Sequence, residues 1–197
     1  MVVLWVTDVR YKIDMQNIED RLLIWKFRRG SSEALCRIYQ KYKGGLLRLA
    51  CGLLNDTAAA EDIVHDTFVS LAQSAEKLRL DGNLKNYLAT CVANRVRNLS
   101  KTARRQEGAG LNKVEQAVSS AKRPEQWIIS NEQLKRVNDA LGQLPYEQRE
   151  VVILHVQGGM KFRAIAESQG VSINTVQSRY RYGLDKLRSL LDSEVKL

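Results

Sequence analysis

The chain has 197 residues, 44% of them hydrophobic, with 31 Lys and Arg against 22 Asp and Glu, a net charge of +9 and a pI near 9.6. That length suits one large or two small domains with real cores, and the basic excess points to a polyanionic partner, nucleic acid or an anionic membrane surface. No apolar run approaches the length of a membrane-spanning helix and Met1 to Val6 is too short for a signal-peptide core, so membrane insertion is excluded and a cytoplasmic protein is expected.

Two prolines, Pro124 and Pro145, few aromatics and many Leu, Ala, Arg and Gln predict an all-helical chain. Met1 to Asp14 alternates loosely (Val3, Trp5, Val9, Tyr11) and reads as a short strand, a floppy arm, or sequence upstream of a start at Met15. From Ile18 an amphipathic helix carries Leu22, Leu23, Trp25 and Phe27 and ends at Gly30. Ser31 or Ser32 caps the next helix, with Glu33 in its first turn. It runs through Leu35, Ile38, Tyr39 and Tyr42 to Leu46, Leu47, Leu49, Ala50 and Leu53, with Gly44-Gly45 as a place to bend.

Asn55-Asp56-Thr57 opens a third helix, Ala58 to about Ser74, with Ile63, Val64, Phe68, Val69 and Leu71 inward and Glu61, Asp62, His65 and Asp66 on the other face. Carboxylates near a helix start suit the helix dipole and can be merely solvated, but a cluster of three in so basic a chain also reads as a docking surface for a basic protein partner. No neighbouring nucleophile, metal cluster or glycine loop supports acid–base chemistry there, and no enzymatic activity is expected.

Lys77 to Asn86 is a polar loop with the turn signal Asp81-Gly82-Asn83. The fourth helix, Leu84 to Arg105, turns Tyr87, Leu88, Cys91, Val92, Val96 and Leu99 to the core. Its Arg95, Arg97, Lys101, Arg104 and Arg105 give +5 with no acidic residue between positions 95 and 105. Such runs are often only solvated, yet with Tyr87, Asn94 and Asn98 on the same helix the pattern suits nucleic acid, separated strands included. Residues 106–130 lose periodicity and read as a linker. Trp127 and Ile128 begin the next domain, whose first helix, Asn131 to Leu144, packs through Leu134, Val137 and Leu141, with Pro145 opening the following helix.

From Leu144 to Leu191, one helix carries Val151, Val152, Leu154 and Val156, and a second carries Phe162, Ile165 and Ala166 and stops at Gly170. Ser172 caps a third that buries Val176, Tyr180, Leu184, Leu187 and Leu191. This is a helix-turn-helix pattern, or an ordinary helical hairpin; charge decides for DNA, because six basic residues stand against Glu167 and Asp185 between Lys161 and Arg188. Ser172, Asn174, Thr175, Gln177 and Ser178 lie where a groove-inserted helix reads base edges, and Arg179 and Arg181 follow to meet phosphates.

Cys36, Cys51 and Cys91 lack CxxC or Cys/His spacing and read as reduced, buried core thiols. His65 and His155 lie far apart without a ligand cluster, so neither a metal nor another cofactor is expected.

The two helical modules, one with an acidic face and a basic helix, together resemble the extracytoplasmic-function (ECF) group of the sigma-70 family of bacterial RNA polymerase sigma factors. The resemblance rests on AEDIVHDTFVSL (Ala60 to Leu71) and LKNYLATCVANRVRNLSKTARR (Leu84 to Arg105). It rests equally on LPYEQREVVIL (Leu144 to Leu154) and FRAIAESQGVSINTVQSRYRYGLDKLR (Phe162 to Arg188), and spans about Ile18 to Leu191. It implies domains at 15–105, for polymerase binding and promoter opening, and at 131–197, for upstream recognition. Glu61, Asp62, His65 and Asp66 would contact the clamp coiled coil of core RNA polymerase. Asp81, Asn83, Tyr87, Asn94 and Asn98 would open and read the promoter element nearest the start site, with Arg95, Arg97, Lys101, Arg104 and Arg105 on the strand backbone. The helix from Ser172 would read the upstream element of promoter DNA, and an anti-sigma factor is a further implied partner. The chain departs from the family at His65 (often Gln), Tyr87 (often Trp), Asn98 (often Asp) and Ala164 (often Glu), the last two bearing on promoter preference. A helix-turn-helix regulator acting without forming a holoenzyme is the competing reading.

Overall fold

A computed structural model describes residues 18–75, 78, 83–108 and 132–194, with the side chains of 101–108, 132–135 and 193–194 left undescribed. The expectations for Met1 to Asp14, for Asp81-Gly82, for Trp127 and Ile128, and for the side chains of Lys101, Arg104, Arg105 and Leu134 lie outside the described part.

The described residues are all-α, in two helical clusters. The first holds α1 (residues 18–28), α2 (Ser32–Leu54), α3 (Thr57–Gln73) and α4 (Leu84–Gly108); the second holds α5 (Glu132–Gly142), α6 (Tyr146–Val156), α7 (Phe162–Gln169) and α8 (Ile173–Glu194).

Local chemistry sets the helix ends. Gly30 adopts φ +88°, a left-handed conformation that ends α1, and the Ser31 hydroxyl then accepts the Ala34 N–H at 3.2 Å to cap α2. At the far end of α2, Asn55 takes φ 56° and donates its N–H to the Cys51 carbonyl at 2.7 Å. Asp56 accepts the Ala59 N–H at 3.1 Å, so two residues reverse the chain into α3. No break occurs at Gly44-Gly45: α2 is continuous, held on both sides by buried Ile38 and Leu46, Leu47 and Leu49, whose burial outweighs a glycine's helix cost of about 1 kcal/mol.

The core of the first cluster joins Leu23, Phe27, Ile38, Leu53, Phe68, Leu88 and Val96, with Tyr39 edge-on to Phe68 at 4.8 Å between centroids. Several side chains predicted inward are exposed. Val69 lies off the α3 stripe, and Thr67 takes a buried place there by donating its hydroxyl to the Ile63 carbonyl at 2.7 Å. Leu99 is exposed as well, at 51%, although Val96 one turn before it is fully buried. Leu22 and Trp25 face solvent while Asp20 is buried, its carboxylate 2.7 Å from Lys41 Nζ and accepting the Tyr42 hydroxyl, which ties α1 to α2.

In the second cluster Gly170 (φ 66°) donates to the Ala166 and Glu167 carbonyls and Val171 N–H returns to Ala166 O at 3.1 Å, ending α7; Ser172 Oγ then accepts Thr175 N–H at 3.0 Å to start α8. The His155 ring stacks on Phe162 at 4.3 Å and meets Tyr180 edge-on at 5.0 Å, holding α6, α7 and α8 together, with Nδ1 2.8 Å from the Met160 carbonyl. Leu184 was expected in this core but is exposed. α8 meets α6 through Gly183 instead, where an added Cβ would come within 3.0 Å of Val152, so the backbones approach too closely for a large side chain. Val137 and Val156 are exposed as well.

The two clusters touch: α2 packs on α5 and α6, with Gly52 against Ile153. The thiols differ from expectation. All three are free, but Cys36 is exposed and Cys51 and Cys91 are only half-buried, because Cys36 lies on the outer side of α2. Burial is the main cause raising the Cys51 and Cys91 thiol pKa values.

Candidate functional site

Three polar surfaces emerge. On α3, Glu61, Asp62, His65 and Asp66 are all exposed on one face, because Ile63, Val64, Thr67 and Phe68 alternate with them toward the core. Asp66 is not isolated: Arg95 of α4 lies 3.6 Å from its carboxylate, donates to its carbonyl at 3.0 Å and also donates to the Ser70 hydroxyl.

On α4, Asn83 sits at the start and its side-chain oxygen accepts the Lys85 N–H at 2.7 Å. Tyr87 is half-buried, and burial with neighbouring Cys91 pushes its phenol above the ordinary value. Asn94 and Asn98 are exposed. Arg97 donates to Asn94 Oδ1 at 2.8 Å and to Glu150 Oε1 of α6 at 2.6 Å, so it is committed within the chain. The structure thus places Arg95 and Arg97 in ion pairs and leaves Asn94 and Asn98 facing out.

On α8, Asn174, Gln177 and Arg181 are exposed, and Ser172 hydrogen-bonds Thr175 Oγ1 at 2.8 Å as well as its N–H. Ser178 is half-buried. Arg179 is half-buried too and donates to Gln169 Oε1 of α7 at 3.0 Å, bracing the turn between the helices. Arg181 packs its guanidinium 5.1 Å from the Tyr182 ring. The face bearing Asn174, Gln177 and Arg181 is therefore open, while Thr175, Ser178 and Arg179 line its inner margin.

Sequence reasoning missed Glu150. It is 2% exposed, and burial raises its carboxyl pKa while Arg97 and, more weakly, Arg179 oppose the rise. The signal was present: an acid directly ahead of Val151, Val152, Ile153 and Leu154, all of them buried. Among the described residues no group of three or more His, Cys, Asp or Glu could hold a metal, and no helix is long and apolar enough to cross a membrane.

For an all-helical chain with an exposed acidic helix in one cluster and an exposed polar and basic helix in the other, comparison with known proteins gives the class, that of transcription-initiation proteins. Residues 38–106 match the family model for sigma-70 region 2 and residues 134–187 that for sigma-70 region 4, together more than half of the chain. The RNA polymerase sigma factor CarQ of Myxococcus xanthus is 27% identical over 167 residues, covering 84% of this chain and 94% of that one. The sigma factor CnrH of Cupriavidus metallidurans is 28% identical over 182 residues, covering 89% and 95%. Among solved structures, CnrH in complex with the cytosolic domain of CnrY superposes with a TM-score of 0.65 at 23% identity, covering 89% of this chain and 98% of that one. RpoE of Bartonella quintana, in complex with the anti-sigma factor NepR, gives 0.62 at 26% identity, covering 79% and 97%.

The chain belongs to the ECF group of the sigma-70 family of RNA polymerase sigma factors. It is a sigma factor, directing RNA polymerase to promoters, and it is not an enzyme.

Proposed function

We propose that the three surfaces divide the work of initiation. The α3 face of Glu61, Asp62, His65 and Asp66 docks on a basic surface of core RNA polymerase. The α4 face, with Asn83, Tyr87, Asn94 and Asn98 and the basic residues from Arg95 onward, holds and reads the separated strand near the start site, together with Asp81. The pair α7 and α8 acts as a helix-turn-helix: α8 enters the major groove of the upstream element with Asn174 and Gln177 toward base edges and Arg181 toward phosphate. Residues 15–105 and 131–197 are the two working domains and 106–130 the tether. The arrangement acts in the cytoplasm and without insertion into a membrane.

The observation that carries this reading is the joint exposure of the four α3 residues on one face, where a partner can reach them. An anti-sigma factor is a third partner: the superposed RpoE was solved with one bound, and the α3 and α8 faces of this chain are exposed.

Adding the purified chain to core RNA polymerase in a run-off assay over genomic fragments tests the reading. New start sites that depend on the chain are expected; none, together with failure to co-elute with core enzyme, would overturn it.

A further inference from the structure

Helix α1 is apolar on two sides. Leu23 and Phe27 are 5% and 4% exposed and hold it to the core, and buried Asp20 ties it to Lys41 and Tyr42 of α2. On the opposite side Ile18, Leu22 and Trp25 follow one another at i, i+4 and i+7, a single stripe, and are 63%, 51% and 51% exposed. The Arg29 guanidinium lies 4.1 Å from the Trp25 ring centroid and extends the stripe past the helix end. Exposed Glu19 and Lys26 border it on one side, and exposed Arg21 and Arg28 on the other. A helix at the edge of a domain needs one apolar stripe for its core contact; a second, with a tryptophan in it, calls for a cover.

The chain carries a matching segment directly upstream. Residues 1–17, outside the described part, lead into the first turn of α1. Apolar side chains recur at alternate positions there, Val3, Trp5, Val9, Tyr11 and Ile13, and Asp8, Arg10, Lys12 and Asp14 fall between or beside the last three. That is the pattern of an extended segment with one apolar face. The dimensions agree, because alternate residues of an extended chain lie about 6.6 Å apart while residues four and three apart on a helix advance by about 6 and 4.5 Å. Ile13, Tyr11 and Val9 thus match Ile18, Leu22 and Trp25 in reverse chain direction. Asp14 to Asn17 supply the four residues of a reversing turn. In that direction Asp8 comes level with Lys26, Arg28 and Arg29, and Lys12 with Glu19, so unlike charges meet along the edges.

We infer that residues 3–13 dock as an extended segment, antiparallel to α1, across the stripe of Ile18, Leu22 and Trp25, so that the occupant of this face is the chain's own upstream segment. Tethering favours it over any free competitor, since a short linker holds the segment at an effective concentration of the order of millimolar. The stripe lies on a different helix from the α3, α4 and α8 faces and leaves their assignments untouched.

Trp25 reports the docking. In the full-length chain with Trp5→Phe and Trp127→Phe it is the single tryptophan, and its emission and its quenching by acrylamide are followed over a dilution series. Trp25 should be shielded to the same degree at every dilution. Tyr11→Asp combined with Ile13→Asp replaces no residue of the described helices; it should raise the quenching constant severalfold and shift the emission to the red, with helix content by circular dichroism unchanged. From the other side of the contact, Leu22→Asp should speed tryptic cleavage after Arg10 and Lys12 severalfold, read by mass spectrometry of timed samples.

Quenching in the parent as high as in the Tyr11→Asp, Ile13→Asp variant overturns the docking, and so does cleavage at Arg10 and Lys12 that is equally fast with and without Leu22→Asp. Shielding that survives the two aspartates and fades on dilution gives the stripe to a second copy of the chain. Shielding that survives them at every dilution gives it to another part of the same chain, and either result overturns the assignment to residues 3–13.

Discussion

Arg95 and Asp66 join α4 to α3: the guanidinium of Arg95 rests 3.6 Å from the Asp66 carboxylate and donates to the same residue's carbonyl oxygen at 3.0 Å. The pair is exposed, with Asp66 62% and Arg95 33% accessible, so it positions the two faces more than it stabilises the fold.

Replacing Asp62 and Asp66 together by Lys should abolish co-elution with core RNA polymerase, whereas thermal unfolding should show a stability loss of only about 1 kcal/mol, the scale of an exposed ion pair. A loss of folding in the double variant would show that the acidic face is structural.

Gln177→Ala and Arg181→Ala should leave core binding unchanged and separate in their effects on promoter DNA. Loss at Gln177 should relax preference at one upstream position by about 1–3 kcal/mol. Loss at Arg181 should weaken all upstream sequences alike and lower the salt dependence by about one ion. Binding titrations over a salt series distinguish the two, and equal insensitivity of both would remove α8 from the groove.

Stability should fall at alkaline pH, and Tyr42 should account for part of the fall. Burial, then its hydrogen bond to Asp20, pushes the Tyr42 phenol far above its ordinary 10.0. The folded chain therefore keeps this proton where the unfolded chain releases it; the stabilisation is complete below about pH 10 and is lost progressively above it. Tyr42→Phe should flatten the decline measured by denaturant unfolding from about pH 9 to about pH 11, and Asp20→Ala should cost about 2 kcal/mol at neutral pH by leaving the half-buried Tyr42 hydroxyl without its acceptor, while Lys41 keeps Glu19. An identical alkaline slope in Tyr42→Phe would exclude the phenol.

A maleimide should modify Cys36 first, since only that thiol is exposed. Cys51 and Cys91 should follow slowly near neutral pH, because burial raises their pKa values and leaves little thiolate; their labelling should accelerate as the pH rises toward about 9. Mass spectrometry of timed samples reads the order, and simultaneous labelling of all three would mean that α2 and α4 open readily.

Helix positions and most ends were legible in the chain because they depend on nearest neighbours: Gly30, Ser31, Asn55-Asp56, Gly170 and Ser172 act through bonds spanning a few residues. The acidic face of α3 and the open face of α8 were legible for the same reason, since helical period alone separates them from the buried stripe. Leu99 and Leu184 differ from expectation because period says which side a residue is on and not whether a neighbour is there to cover it, whereas Val69 lies off the buried stripe of α3 altogether. At Leu184 the approach to α6 is made through Gly183 instead.

By itself, then, the sequence determined an all-helical chain of two modules, the family it belongs to, and which faces carry charge, all properties written in local spacing. Only the tertiary structure decided how those charges are spent: Arg95 on Asp66, Asp20 on Tyr42 and Lys41, and Arg97 on a glutamate 53 positions away. An ion pair between distant positions leaves no periodic trace, because its stability depends on the water excluded around both partners, and that is set by the packing of α2 and α4 against α6.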